Sequence, residues 1–360
     1  MPTFPATKPR PGLTLSRRHF VALLGATGII GRASPSLAAP AVEKKEKVAA
    51  GLYEIAVSTT TNLVHVASAG PRGGNSAKIV GLDPRTLEVR STIELGDDPA
   101  FGLAVNDRTG MLFGTATRDG KLLAIDLRSG TVKAQIGEGE GAHVRQVVVD
   151  EARNRAFVSV FGFRDKPSAI WVVDTASNAV ATVISDGLEG GISGLAYDPA
   201  GDRLFAAAMQ ANEVVEVSLS RRAGVRRFAS GGETPINLAY DAAGARLLCT
   251  NQKSGQLSVL NAASGQALKV LETGAGALGV TLSGDGAVAY VANRGAGTVS
   301  VVDARNLTVM ASLETGTHPN TVAVDRRSGL AYVTNKARMA PRGQPPAEDP
   351  NGDTVSLIRL

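Results

Sequence analysis

Cysteine is nearly missing from this chain: Cys249 stands alone among 360 residues. No internal disulfide can form, and no thiolate cluster can hold a metal. Cys249 sits in the strand-like Arg246-Leu247-Leu248-Cys249-Thr250 and reads as a buried, inert thiol. Aromatic residues are scarce at 4%, with one Trp. Long apolar runs are also wanting. The stretch from Val21 to Ile30 is far shorter than the roughly 20 residues a spanning helix needs, so no transmembrane segment is expected.

Acidic residues are absent from the first 38 positions, which hold Lys8, Arg10, Arg17, Arg18 and Arg32. Without those five cations the remaining 33 Lys and Arg equal the 33 Asp and Glu. The formal +5 therefore argues neither for nucleic acid nor for an anionic membrane. Ser16-Arg17-Arg18-His19-Phe20-Val21 has the form of a twin-arginine export motif, followed by the short apolar run and the small-residue cleavage site Ser36-Leu37-Ala38. The expected organisation is a cleaved signal over residues 1–38 and one periplasmic domain over 39–360.

What the chain has in quantity is glycine, 41 residues, together with a repeat. A short apolar strand ending in a turn residue recurs at Ile55, Leu103, Val147, Leu195, Leu238, Val280 and Val322, every 42 to 48 residues. A second landmark closes a later strand with Asp83, Asp126, Asp174, Ser218, Asn261 and Asp303, and Arg359 takes that place in the seventh unit. Asp, Asn and Ser suit it because their side chains bond the backbone of the following turn. Each unit reads as a four-stranded meander, A to D from inside outward. A single such sheet cannot cover both of its faces, whereas a ring of seven packs face against face. The fold class is all-β, a seven-bladed β-propeller of four-stranded antiparallel blades. The last unit ends after its third strand, and Glu46-Lys47-Val48-Ala49-Ala50 precedes the first A strand where a fourth strand is due. The N-terminal segment is expected to complete the last blade.

Tyr332-Val333-Thr334-Asn335 and Tyr290-Val291-Ala292-Asn293, followed by Gly297-Thr298-Val299-Ser300-Val301-Val302-Asp303, resemble the repeat that names YVTN propellers. Gly51-Leu52-Tyr53-Glu54-Ile55-Ala56, Ala169-Ile170-Trp171-Val172-Val173-Asp174 and Thr317-His318-Pro319-Asn320 are similar to YncE-type periplasmic proteins. That resemblance implies a propeller without known catalytic activity that binds single-stranded DNA. The twin-arginine signal departs from it and leaves a cofactor open.

Propeller geometry gathers the D-to-A and B-to-C loops at one mouth of the channel. By register the pairs before the A strands are Tyr53-Glu54, Phe101-Gly102, Arg145-Gln146, Ser193-Gly194, Ile236-Asn237, Leu278-Gly279 and Asn320-Thr321. Candidate ligand-binding residues are Tyr53, Glu54, Phe101, Arg145, Gln146, Asn237, His318 and Asn320. Such a mouth can stack bases or sugars and hydrogen-bond their edges. Arg118, Arg164, Lys253, Arg294 and Lys336 are candidate rim cations. Acids in the D-to-A loops, among them Asp97, Asp98, Glu138, Glu140, Asp186, Glu189 and Glu233, are expected to offset them as a solvated, mixed-charge rim.

No HxH, HExxH or Cys/His spacing is present, so no metal, cofactor or catalytic residue is assigned. His65 reads as a packed ring in a B strand, and Trp171 as a side chain packed between blades. Gly274-Ala275-Gly276-Ala277-Leu278-Gly279 fits GxGxxG but precedes a strand by register rather than a helix. Arg221 to Arg227 reads as a solvated C-to-D turn, and the Pro-rich stretch from Met339 to Asn351 as a long loop inside the last blade. The first reading is a monomeric, non-catalytic binding propeller, with single-stranded DNA as the implied partner. The alternatives are a redox subunit or lyase using the same mouth, for which Glu54, His143 and His318 are the ionisable candidates, and a scaffold that docks an envelope protein.

Overall fold

In the computed structural model the described residues form twenty-eight strands in seven four-stranded antiparallel sheets. The structure describes Met1, Thr3 and residues 39–71, 74–139, 141–162, 166–339 and 348–360. The export segment, Arg164 and the middle of the Pro-rich loop lie outside the described residues.

Blades one to six are uninterrupted meanders whose A strands are Leu52–Ser58, Gly102–Asn106, Val144–Asp150, Ile192–Asp198, Pro235–Asp241 and Ala277–Leu282. The B and C strands are buried nearly throughout, as in Val288–Asn293 and Thr298–Asp303 of blade six, whereas its D strand Thr308–Glu314 is mostly exposed. This gradient follows from the ring. Middle strands are covered on both faces by neighbouring blades, which is why they read Val-Ala-Tyr-Val-Ala rather than as an alternating pattern. The apolar clusters accordingly span seams: Phe113 and Leu122 of blade two pack with Val158 and Trp171 of blade three.

The ring closes at blade seven. Its A strand Pro319–Val324, B strand Ala331–Asn335 and C strand Thr354–Arg359 are completed by the N-terminal strand Ala41–Lys47, antiparallel to the C strand. The closing strand lies a few residues earlier than the Glu46–Ala50 stretch favoured by sequence. Leu52 and Val64 of blade one share a core with Tyr332 and Leu357 of blade seven.

Two repeated polar devices hold the blades. At the end of the C strands, Asp83, Asp126, Asp174, Asn261 and Asp303 each accept the N–H groups two and three residues on, the role their chemistry implied. At the A-to-B turns a buried Asp meets an Arg five residues on: Asp150–Arg155 at 2.8 Å, Asp198–Arg203 at 3.0 Å and Asp241–Arg246 at 2.5 Å. The Arg221–Arg227 stretch is less solvated than its composition suggests. Ala223–Ala229 is a D strand, in which Arg226 pairs with Glu216 at 2.6 Å and Arg227 with Glu213 at 2.7 Å.

Candidate functional site

The A strands begin with a shared irregularity. In blades one, three, four, six and seven the A–B register slips across Tyr53-Glu54, Arg145-Gln146, Ser193-Gly194, Leu278-Gly279 and Asn320-Thr321, and in blade five it slips at Ile236. A β-bulge takes residues out of the ladder and re-aims their side chains. Here it releases residues that precede the apolar core of the A strand in those six blades, whereas blade two keeps an unbroken register. The bulge carbonyls are satisfied by hydroxyls of the preceding blade. Thr115, Ser159, Thr250 and Thr334 donate to the carbonyls of Arg145, Ser193, Leu278 and Tyr53 at 2.6 to 2.7 Å.

The second residue of each pair alternates in size around the ring. Blades two, four and six carry Gly102, Gly194 and Gly279, where a Cβ would come within 2.6 to 2.7 Å of the next blade's backbone carbonyl at Arg145, Ile236 and Asn320 respectively. Blades one, three, five and seven carry Glu54, Gln146, Asn237 and Thr321. These interact across the constriction: Gln146 Nε2 donates to Asn237 Oδ1 at 3.1 Å, and the Leu195 N–H donates to Gln146 Oε1 at 2.5 Å.

Above them lies a cavity of about 300 Å³. Of the sequence candidates, Tyr53, Glu54, Phe101, Arg145, Gln146, Asn237 and Asn320 line it, with Arg118 and Arg294 from the B-to-C side. The Tyr53 and Phe101 rings meet edge to face with centroids 4.5 Å apart. Arg118 stands 5.6 Å above the Phe101 ring and Arg145 5.4 Å above that of Phe161. Arg294 Nη1 donates to Asn320 Oδ1 at 2.9 Å, and Asn320 Nδ2 to the Tyr53 carbonyl at 3.3 Å. Lys336 is only 5% exposed, and its Nζ lies 3.4 Å from the Tyr53 ring centroid, a cation–π placement.

The balanced rim expected from sequence holds at Lys253, which pairs with Glu233, but not at the cavity. Among the described residues no carboxylate stands within 4.0 Å of Arg118, Arg145, Arg294 or Lys336. Four acids of the D-to-A loops have partners of their own. Asp97 accepts from Asn75, Asp98 from Gln135, and Glu189 and Glu233 pair with Arg227 and Lys253. Among the described residues Glu54 is the one carboxyl on the cavity wall. Its side chain is half-buried, and desolvation lifts its pKa to about 7 against the pull of Thr321 and the Ile55 N–H. Desolvation lowers Arg145 and Arg294, and brings Lys336 down to about 8 with help from Arg294 and Arg118. Cancellation of charge along the sequence is not cancellation in space.

Two candidates fall elsewhere. Lys253 lies outside the cavity, in an exposed pair with Glu233 at 2.6 Å. His318 is turned off the central wall, since its backbone is left-handed with φ 44° and it lines a neighbouring cavity instead. Of the other histidines, His65 is 2% exposed, bonded through Nε2 to Thr61 at 3.0 Å and held near pKa 4 by burial; His143 lies 5.9 Å from the Phe161 ring. Burial likewise raises the Cys249 thiol. The residues missed by sequence are Thr117 and Phe161, each directly after a B strand. Arg294 and Lys336 share that register position, which was the available signal. Among the described residues no three His, Cys, Asp or Glu side chains group as metal ligands, and no helix is long and apolar enough to cross a membrane.

The chain is 29% identical over 266 residues, 70% of its own length and 73% of the relative's, to the uncharacterized protein YncE of Escherichia coli (strain K12). To the protein of the same name in Salmonella typhi it is 30% identical over 237 residues, 62% and 65% of the two lengths. No family model matches the chain. The similarity and the seven-blade ring are consistent with a propeller of YncE type.

Proposed function

We propose that this YncE-like propeller is a periplasmic, non-catalytic binding protein whose channel mouth takes an anionic ligand with a planar group, single-stranded DNA being the ligand class tested first. The observation that carries the reading is that Arg118, Arg145 and Arg294 line one cavity, with Lys336 buried against the Tyr53 ring of its wall, and that none of the four has a carboxylate in ion-pair reach among the described residues. Arg145, Arg294 and Lys336 are desolvated and costly to hold there without a counter-charge, and a phosphate supplies that charge in the bidentate geometry a guanidinium favours. The Tyr53–Phe101 corner offers a surface on which a base can stack without sequence preference. Gln146 and Asn237, bonded to each other at the constriction, limit how deep the ligand reaches.

Fluorescence anisotropy with a labelled thymidine oligonucleotide at low salt tests this. Arg145→Ala and Arg294→Ala are each expected to weaken binding by roughly tenfold or more, the scale of a lost charge-assisted contact. Lys253→Ala, which removes a cation already paired with Glu233, is expected to leave affinity within about twofold, as for an exposed pair. Absence of binding at low salt removes the DNA reading. Equal losses in all three variants would point to a diffuse surface effect instead of a site.

A further inference from the structure

A second cavity, of about 460 Å³, opens at the seam of blades six and seven. Three separate parts of the chain wall it: Arg294 and the turn after it in blade six, Thr317, His318, Arg338 and Asn351 of blade seven, and Lys45 on the closing N-terminal strand. Lys45 Nζ donates to Asn351 Oδ1 at 2.9 Å. Among the described residues Glu314 is the one carboxylate on this wall, and neither Lys45, Arg294 nor Arg338 has an acid within 4.0 Å. Asp349, behind the wall, is occupied by the Arg338 N–H at 3.0 Å and the Thr317 hydroxyl at 2.8 Å. The positive field registers on His318, whose imidazole is held below its ordinary range by burial first, then by Arg294, Arg338 and Lys336 against Asp349.

Arg294 lines both cavities. We infer that the mouth and the seam are two subsites of one elongated site, joined at Arg294, for a ligand carrying at least two phosphate groups, one held at each subsite. This rests on the mouth being an anion site. The seam adds two cations, Lys45 and Arg338, that a ligand with a single phosphate seated in the mouth does not meet. Because Lys45 belongs to the strand that closes the ring, a ligand bridging the two subsites also ties the N-terminal strand to blade six.

Calorimetric titration at low salt separates the two subsites, with thymidine 5′-monophosphate and the 5′-phosphorylated dinucleotide pTpT as probes. The dinucleotide is expected to bind about tenfold tighter, equivalent to about 1.4 kcal/mol. Arg338→Ala, which lies in a loop and leaves the strands intact, and Lys45→Ala should each erase most of that gain without changing the mononucleotide. Arg145→Ala should weaken both ligands in proportion. Inorganic tripolyphosphate, which carries the charge without bases, should show the same dependence on Arg338, and this arm distinguishes a phosphate subsite from one that reads bases. The inference is overturned if the mononucleotide binds through Arg145 yet the dinucleotide binds no tighter, or if its gain survives both seam variants or appears only with bases. Failure of both nucleotides to bind removes the mouth reading itself and the two-subsite site with it.

Discussion

Replacing Glu54 by Gln probes the channel without any ligand. Burial raises the Glu54 carboxyl from its ordinary 4.5 to about 7, so the folded protein holds that proton more tightly than the unfolded chain does. The stability associated with the neutral form is complete below about pH 4.5 and is lost as pH rises through 7. At about 1.36 kcal/mol for each pH unit of separation, the loss is on the order of 3 kcal/mol. His65 works in the opposite sense. Its folded pKa near 4 lies below the ordinary 6.5, and so stability increases with pH across that interval. The wild-type profile alone therefore mixes the two, whereas the difference between wild type and Glu54→Gln isolates the carboxyl. Gln copies the neutral form. The two proteins are expected to melt together at pH 5, and the variant should melt higher at pH 8 by roughly 4 to 5 °C, measured by scanning calorimetry in matched ionic strength. Parallel profiles from pH 5 to 8 would refute the assignment of a neutral, desolvated Glu54. Removing the anionic form should also tighten anion binding at pH 8 and leave it unchanged at pH 5.

Deleting residues 39–50 removes the strand that completes blade seven and should lower the melting temperature by about 5 °C or more; an unchanged melt would contradict closure by that strand. Arg246→Ala leaves the buried Asp241 without the guanidinium 2.5 Å away and is expected to cost about 3 kcal/mol in urea unfolding, while a loss under about 1 kcal/mol would show the pair to be solvated in effect. Cys249 should be inert to a disulfide-exchange reagent in the native protein and react once per chain in guanidinium, because burial both hides the thiol and raises its pKa.

The fold was legible because the repeat is. Period, turn residues and the missing outer strand of the last unit fixed seven blades and the identity of the strand that closes them. The position of that strand was less legible. Ala41-Val42-Glu43-Lys44-Lys45-Glu46-Lys47 packs on one side only and has no apolar signature, whereas Val48 and Ala49 beyond it drew the reading inward. The mouth pairs were also readable, since register alone says which residues precede each A strand. Their bulged backbone and the alternation of glycine with Glu54, Gln146, Asn237 and Thr321 were not read, for they answer to the narrowness of the ring, which no single repeat contains. Charge was the largest departure. Sequence counts acids and bases in the same loops, and Glu233 does offset the rim cation Lys253, but Asp98 and Glu189 bond Gln135 and Arg227 while Arg145, Arg294 and Lys336 are drawn inward over aromatic or amide groups. The side-chain reach that separates the two sets is invisible in a loop sequence. The shift of His318 from mouth to seam turns on one left-handed residue, again a backbone fact.

Photo-crosslinking places the ligand most directly. An oligonucleotide carrying 4-thiothymidine, irradiated with the protein at low salt and mapped by mass spectrometry, should attach at Tyr53, Phe101 or Phe161, with yield falling in Arg145→Ala. Attachment confined to the outer D strands, or unchanged in that variant, would contradict a positively charged channel mouth as the binding site.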